Sequence, residues 1–399
     1  MNDLLLRGGR PWTPGAPVES ADILIRDGRI AAIGAGLTAP AAETVELAGA
    51  LVFPGLVDSH CHLDKTMYGG PWVPNSGGRT LSGRIANGEG RREELGLPNA
   101  DYAANLLGAM VSGGTAHVRS HIDIDPEVGL RGVDAVRAAA ERHRDRVDVQ
   151  LVAFPQGGLM NRPGTGKLLE AALADGVEVI GGLDPAGYDQ DPTGQLDLIF
   201  GLAEKYGARI DIHLHDRGAL GAWQYGLIIE RTRATGLAGR VTISHAYAMG
   251  ELAPDEQRRI AESLAEAGVS MVTCAVGDAP VVPVRTMHEA GATLALGNDG
   301  IRDLWTPYGD GDMLRRIMTV AFRDRLVADP EIELALTAGT YGGAQVLGLA
   351  DYGLEVGSAA DLFTVDAEAP AAAVVSVPPR GLVIKRGRIV ARGGILTAA

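Results

Sequence analysis

Between residues 54 and 350 short apolar runs alternate with amphipathic stretches, and this alternation constrains the fold more than any other feature of the chain. The apolar runs are 55–58, 116–121, 148–154, 177–183, 209–213, 241–245, 269–274 and 293–297. Residues 102–112, 132–142, 167–174, 195–206, 220–235, 255–267 and 281–290 read as the helices between them. Eight buried strands alternating with helices over roughly 300 residues is the pattern of a (β/α)8 TIM barrel, an α/β fold. An open doubly wound sheet is the rival. It would want a glycine-rich phosphate turn after an early strand, and no G-x-G-x-x-G stands in such a place. Two further helices, 313–327 and 332–341, follow the eighth strand.

The two ends of the chain read differently. Residues 22–26 and 29–33 flank Asp27-Gly28, and residues 382–385 and 388–390 flank Arg386-Gly387. Both patterns are those of a hairpin closed by a two-residue turn. Residues 3–6, 44–47 and 361–365 add further short strands. The likeness of ILIRDGRIAAIG to LVIKRGRIVARG suggests one small discontinuous β domain, 1–53 with 354–399, around a barrel at 54–353.

Composition narrows the function classes. With 399 residues, 46% of them hydrophobic, the chain has ample material for a core. A formal charge of −14 with scattered arginines gives no electrostatic footprint for nucleic acid. Cys61 and Cys274 are the only cysteines, too few for a disulfide framework and without zinc-knuckle spacing. Residues 1–10 do not read as a signal peptide and no apolar run reaches about 18 residues, so no membrane span and a cytoplasmic location are expected.

Polar residues gather where the strands end, which is where barrel enzymes build their sites. The first strand runs into His60, His62 and Lys65. His60 and His62 are two residues apart, so on a strand they aim at one point. The third strand leads to Gln156, the fourth to Asp184, the fifth to His213, His215 and Asp216, the sixth to His245 and the eighth to Asp299. These ends converge only if the barrel closes. Three imidazoles and a carboxylate suit Zn2+ or Fe2+ with a position left for water. On the second strand His121 approaches the substrate, His117 packs deeper, and Arg119 shares their face and needs acidic partners. His143 reads as solvated, Asp64 as a turn cap, Asp123 and Asp125 as loop acids, and 69–90 as a loop over the barrel mouth.

The segment PGLVDSHCHLDK at 54–65, with His213, Ser244-His245 and Asp299, resembles the amidohydrolase superfamily. The resemblance runs over nearly the whole chain. HVRSHIDID, VAFPQGG, SHAYAM and GNDGIRDLWTPYGDGDML are similar to the cytosine deaminase-like branch, which includes enzymes acting on N-isopropylammelide. It implies a β-sandwich made from both chain ends beside the barrel. It also implies one divalent metal ion, Zn2+ or Fe2+, on His60, His62, His213 and Asp299. A single ion is expected because the fourth strand ends in Leu183-Asp184 and not in a bridging lysine. His245 would polarise the attacking water or the forming oxyanion, and Asp299 would accept the water's proton. Gln156 would bind the substrate ring and Trp305 would wall the pocket, with Asp184 and His121 as further substrate contacts.

Two positions depart from cytosine deaminase: Asp216 stands in place of a glutamate and Gly300 in place of a second aspartate. His215 and Lys65 match the isopropylammelide pattern instead. His215 is therefore the first choice of proton shuttle and Asp216 the second. The activity implied is hydrolysis of a C–N bond in a small heterocycle, a pyrimidine or triazine, by metal hydroxide, releasing ammonia or an amine. Hydrolysis of a cyclic amide or N-acyl amine is the alternative, and a non-catalytic metal-binding barrel a third reading. The other metal deaminase type needs H-x-E with P-C-x-x-C, which is missing, so no nucleic-acid substrate is expected. A small-molecule substrate, no membrane partner and a homo-oligomer complete the expectation.

Overall fold

The computed structural model describes residues 3–75, 78 and 80–398. Eight parallel strands pair in chain order: β1 Leu56–Cys61, β2 Thr115–Asp123, β3 Asp148–Phe154, β4 Val179–Leu183, β5 Arg209–His213, β6 Val241–Ser244, β7 Val269–Thr273 and β8 Leu294–Leu296. Helices cover them outside and side chains fill them inside. The strands are accordingly apolar almost throughout, as parallel strands buried on both faces must be.

The seam between β1 and β8 is closed by residues next to the site. Asp299 donates its N–H to the carbonyl of His60 at 2.8 Å, and Cys61 and Asp299 form an isolated parallel bridge. Asp58 accepts from the backbone N–H of Asn298 at 3.1 Å and from its Nδ2 at 2.8 Å. A Cβ at Gly297 would lie 2.5 Å from the Cβ of His60 and 2.6 Å from its carbonyl oxygen. Only glycine lets the seam close so tightly.

Nine strands from the two chain ends form a second sheet. Strand Leu4–Pro11 pairs with Ala21–Arg26 and Glu43–Glu46 through its first part and with Leu51–Pro54 through its last. Leu51–Pro54 then pairs antiparallel with Leu362–Val365, which joins the beginning of the chain to its end. Both expected hairpins form. Asp27 and Gly28 have φ of 48° and 75°, and Arg386 and Gly387 have 45° and 74°, the left-handed pairs that a tight two-residue turn requires. The two turns abut, since a Cβ on Gly28 would lie 3.0 Å from the carbonyl oxygen of Arg386.

At the amino-terminal end of the barrel a buried ion cluster ties this sheet to it. Lys385 donates from Nζ to Asp361 at 2.6 Å, to Asp148 at 2.7 Å and to the carbonyl of Ala116 at 3.1 Å. His117 Nε2 lies 3.1 Å from the same Asp361 carboxylate.

Some expectations are corrected. The segment 69–90 is not all loop: Leu81–Arg91 is a helix, capped by Thr80, whose hydroxyl accepts from Gly83. Ile85 is its one buried side chain, so the sequence carried almost no apolar period to reveal it. Ser76, Gly77 and Arg79 of the same segment lie outside the described residues. His143 is buried, not solvated, with Nε2 3.0 Å from the carbonyl of Ala104. Asp125 is also buried and pairs with Arg92 at 2.9 Å. The helix expected at 281–290 shortens to Val284–Glu289, because Pro283 stands at its start, and the one at 313–327 shortens to Met313–Arg323. No helix among the described residues is long and apolar enough to cross a membrane.

Candidate active site

The carboxyl ends of β1, β5, β6 and β8 bring His60, His62, His213, His245 and Asp299 together. One ligand atom each from His60, His62 and His213 lie within 4.8 Å of one another, and so do those of His60, His245 and Asp299. Asp299 Oδ1 is 3.3 Å from His62 Nε2 and 3.7 Å from His60 Nε2. Donor atoms about 2.0–2.1 Å from a shared tetrahedral ion would lie roughly 3.3–3.4 Å apart, so these spacings fit one ion. His60 Nε2 and both ring nitrogens of His213 are buried without a hydrogen-bond partner. A buried nitrogen left unpaired is costly, and a metal ion would satisfy it.

Electrostatics favour the same use. Burial, with neighbouring imidazoles, holds His60 and His213 well below the usual histidine range, so both rings are neutral with a lone pair free. Burial pushes Asp299 up, but the hydrogen bond from His62 and the facing imidazoles bring it well below the usual carboxylate range. Burial and His215 lower His245 to about 3. Asp184, His245 and Asp299 have φ of 33°, 67° and 63°, so three chemistry-bearing residues sit in the left-handed region that non-glycine residues avoid.

A cavity of about 450 Å³ opens above these groups, lined among others by His62, Lys65, Gln156, His213, His215, His245, Asp299 and Trp305. Lys65 donates from Nζ to Gln156 Oε1 at 2.7 Å and to Asp123 at 2.9 Å. Burial lowers the Lys65 ammonium, but Asp123 and Asp64 more than reverse this and raise it. His215 Nδ1 lies 2.7 Å from Asp184 Oδ2, and Asp184 Oδ1 accepts the N–H of Asp216 at 3.1 Å. Burial alone would lower His215, yet the Asp184 carboxylate raises it above the usual range.

The remaining expected residues lie elsewhere. Asp184 does not line the cavity: its left-handed backbone turns the side chain under His215, which it holds. Asp216 does not line it either, and its carboxylate accepts from Gly187 at 2.9 Å and from Gln224 at 2.8 Å. His121 is buried behind this group, its ring 4.0 Å from that of His60 and 4.6 Å from that of His213. Sequence reasoning missed Asp303, which lines the cavity and occupies the space a side chain at Gly300 would need, 2.1 Å from a Cβ there. It also missed Asp211, the acidic partner of Arg119 at 2.8 Å. Asp211 is two residues before His213 on the same face of β5, and that spacing was the available signal.

A model of the amidohydrolase family matches residues 98–391. The chain belongs to the amidohydrolase family. The amidohydrolase is 33% identical over 383 residues to the N-isopropylammelide isopropyl amidohydrolase of Pseudomonas sp. (strain ADP), covering 94% of this chain and 95% of that one. A crystal structure of N-isopropylammelide isopropylaminohydrolase from Burkholderia multivorans ATCC 17616 matches it with a TM-score of 0.94 and 44% identity, over 100% of both chains. The 5-methylcytosine deaminase of Klebsiella pneumoniae, liganded with 5-fluorocytosine, matches with a TM-score of 0.85 and 26% identity over 97% of both chains. As an amidohydrolase the protein is a hydrolase of carbon–nitrogen bonds other than peptide bonds.

Proposed function

We propose that this amidohydrolase cleaves the exocyclic C–N bond of a small nitrogen heterocycle, an N-alkylated oxotriazine before a pyrimidine, and releases an amine. His60, His62, His213 and Asp299 would hold one divalent ion, Zn2+ or Fe2+. The observation that carries this reading is the set of buried, unpartnered imidazole nitrogens around Asp299 at the floor of the cavity. When bound, such an ion lowers the pKa of a coordinated water towards neutrality and polarises the substrate.

The chain's own residues do the rest. Asp299, kept ionised, accepts the proton of the attacking water. Tyr247 Oη lies 3.4 Å from His245 Nδ1 and can donate to it, which leaves the His245 proton on Nε2 for the forming oxyanion. His215, raised by Asp184, keeps a proton to hand to the departing amine, and is favoured over Asp216, whose carboxylate is already committed. Lys65 occupies Gln156 Oε1, so the Gln156 amide offers N–H to a ring carbonyl beside the Lys65 ammonium, with Trp305 as a wall. Two adjacent donors favour a ring edge rich in carbonyl oxygen over one rich in N–H, which supports the oxotriazine. His121 and Asp184 would act from behind, without touching the substrate.

The two chain ends, 1–53 and 354–399, would form one small β-sandwich domain beside the barrel at 54–353, supported by the strand pairing that joins them. The substrate is a free small molecule, neither nucleic acid nor membrane, and self-association in the cytoplasm fits the reading.

The test is mass-spectrometric detection of amine release by metal-reconstituted protein from cytosine, isocytosine, ammelide, N-alkylammelides and cyclic amides. Alkylamine from N-alkylammelides is expected. Ammonia from cytosine alone would move the reading to the pyrimidines. Ring opening of a cyclic amide with no amine released would overturn it.

A further inference from the structure

Beneath the proposed ligands a chain of fully buried polar groups runs through the barrel interior, and of its members the reaction outlined above uses only His60. Arg119 on β2, Asp211 on β5, Ser244 on β6 and His60 on β1 are each 0% exposed. Arg119 donates from Nη1 to Asp211 Oδ2 at 2.8 Å. Its Nε donates to Gln150 Oε1 at 2.9 Å, its Nη2 to the carbonyl of Val346 at 2.7 Å and its Nη1 also to Thr242 Oγ1 at 3.4 Å. Ser244 Oγ lies 2.6 Å from Asp211 Oδ1 and 2.9 Å from His60 Nδ1.

The donor count along this chain leaves one arrangement. Arginine is always charged and has no acceptor, so it keeps the facing Asp211 an acceptor. A serine hydroxyl has a single hydrogen. That hydrogen must go to Asp211 Oδ1, and the oxygen then meets His60 Nδ1 as an acceptor. His60 must therefore carry its proton on Nδ1. The lone pair is left on Nε2, the very atom that is buried without a partner and faces Asp299. We infer that Arg119, Asp211 and Ser244 are positioning residues that lock His60 in the tautomer able to bind metal and orient its ring towards the ion. The inference rests on the metal-centre reading above. Outer partners of this kind typically change metal affinity about 10–100-fold.

Two measurements test it. In the metal-free protein, nitrogen-15 NMR of the His60 ring should show a protonated Nδ1 and a bare Nε2; the opposite tautomer would overturn the inference. Zinc affinity is then measured by competition with a chromogenic chelator for the native chain and for Ser244→Ala, Ser244→Thr and His60→Ala. Ser244→Ala should bind zinc about 10–100-fold more weakly. Ser244→Thr, which keeps the hydroxyl, should recover most of that loss, and the metal-free melting temperatures should stay close. Native affinity in Ser244→Ala, with weakened binding in His60→Ala, would overturn the relay and leave the metal centre standing. Unchanged affinity in His60→Ala as well would overturn the metal-centre reading itself.

Discussion

The two ends of this barrel hold clusters that look alike by the spacing of their donor atoms. At the carboxyl end His60, His62 and His213 have ligand atoms within 4.8 Å of one another, and at the amino end His117, Asp148 and Asp361 do too. By spacing alone both could hold an ion. They differ in what already sits among them. Lys385 places its ammonium between Asp148 and Asp361, so the amino-end cluster carries its own cation and joins barrel to sheet. At the carboxyl end no lysine or arginine among the described residues sits between the imidazoles, and His60 Nε2 and both nitrogens of His213 are buried without a hydrogen-bond partner. Proximity of donors is therefore a weak sign of a metal site. What separates the clusters is the ammonium already seated between the amino-end carboxylates, since a buried nitrogen without a hydrogen-bond partner, His117 Nδ1, occurs there too.

The comparison can be broken at either end. The largest effect is expected from Asp299→Ala or His213→Ala. Each removes a proposed ligand, so metal content measured by elemental analysis should collapse and turnover should fall by well over about 100-fold, the upper range for mere outer partners. Native metal content in either variant would erase the distinction between the ends. His215→Gln should leave the metal in place and lower kcat by about 10²–10⁴-fold, as loss of a proton-transfer group does. A loss confined to KM would instead make His215 a binding residue. At the amino end, Lys385→Met strands Asp361 and His117 without their cation. It should cost about 3–5 kcal/mol of stability in denaturant unfolding, with little change in kcat of the folded fraction. In protein already loaded with metal at the carboxyl end, further zinc should restore part of that loss in the variant and leave the native chain unchanged, since removing the ammonium turns the joint into a metal site.

The smallest effect concerns acid. Burial pushes Asp361 up, but the hydrogen bond from His117 and the Lys385 ammonium hold it below its ordinary 3.8. A depressed folded value adds stability above pH 3.8 that is lost as pH falls towards the folded value. Asp361→Asn should therefore be less stable than the native chain at neutral pH, with the gap closing below pH 3.8 in denaturant melts; a constant gap would show that Asp361 acts by shape alone.

The barrel was legible because β1–β8 are buried on both faces and so stand out as apolar runs, while His60, His213 and His245 sit at strand ends, where alternation says which way a side chain points. Past the strand end that rule lapses. Nothing in the sequence says that Asp184 turns under His215, because a φ of 33° does the turning. Asp216 likewise reads as a cavity residue until Gln224, on the following helix, claims its carboxylate. Arg119 visibly needed an acid, but Asp211 is 92 residues away and becomes its neighbour only through the strand order of the barrel. Gly300 read as a lost aspartate, whereas the side chain of Asp303 fills its place.

The pairing of Leu51–Pro54 with Leu362–Val365 also sets a timetable for biosynthesis. Leu4, Ile23, Ile25 and Val52 emerge from the ribosome roughly 300 residues before Leu362, Leu382 and Ile384, against which they pack. At about 5–20 residues per second, the early strands wait roughly 15–60 s for those partners. During that interval their apolar face and the free edge of Leu51–Pro54 are open to any other strand, including one from a neighbouring nascent copy.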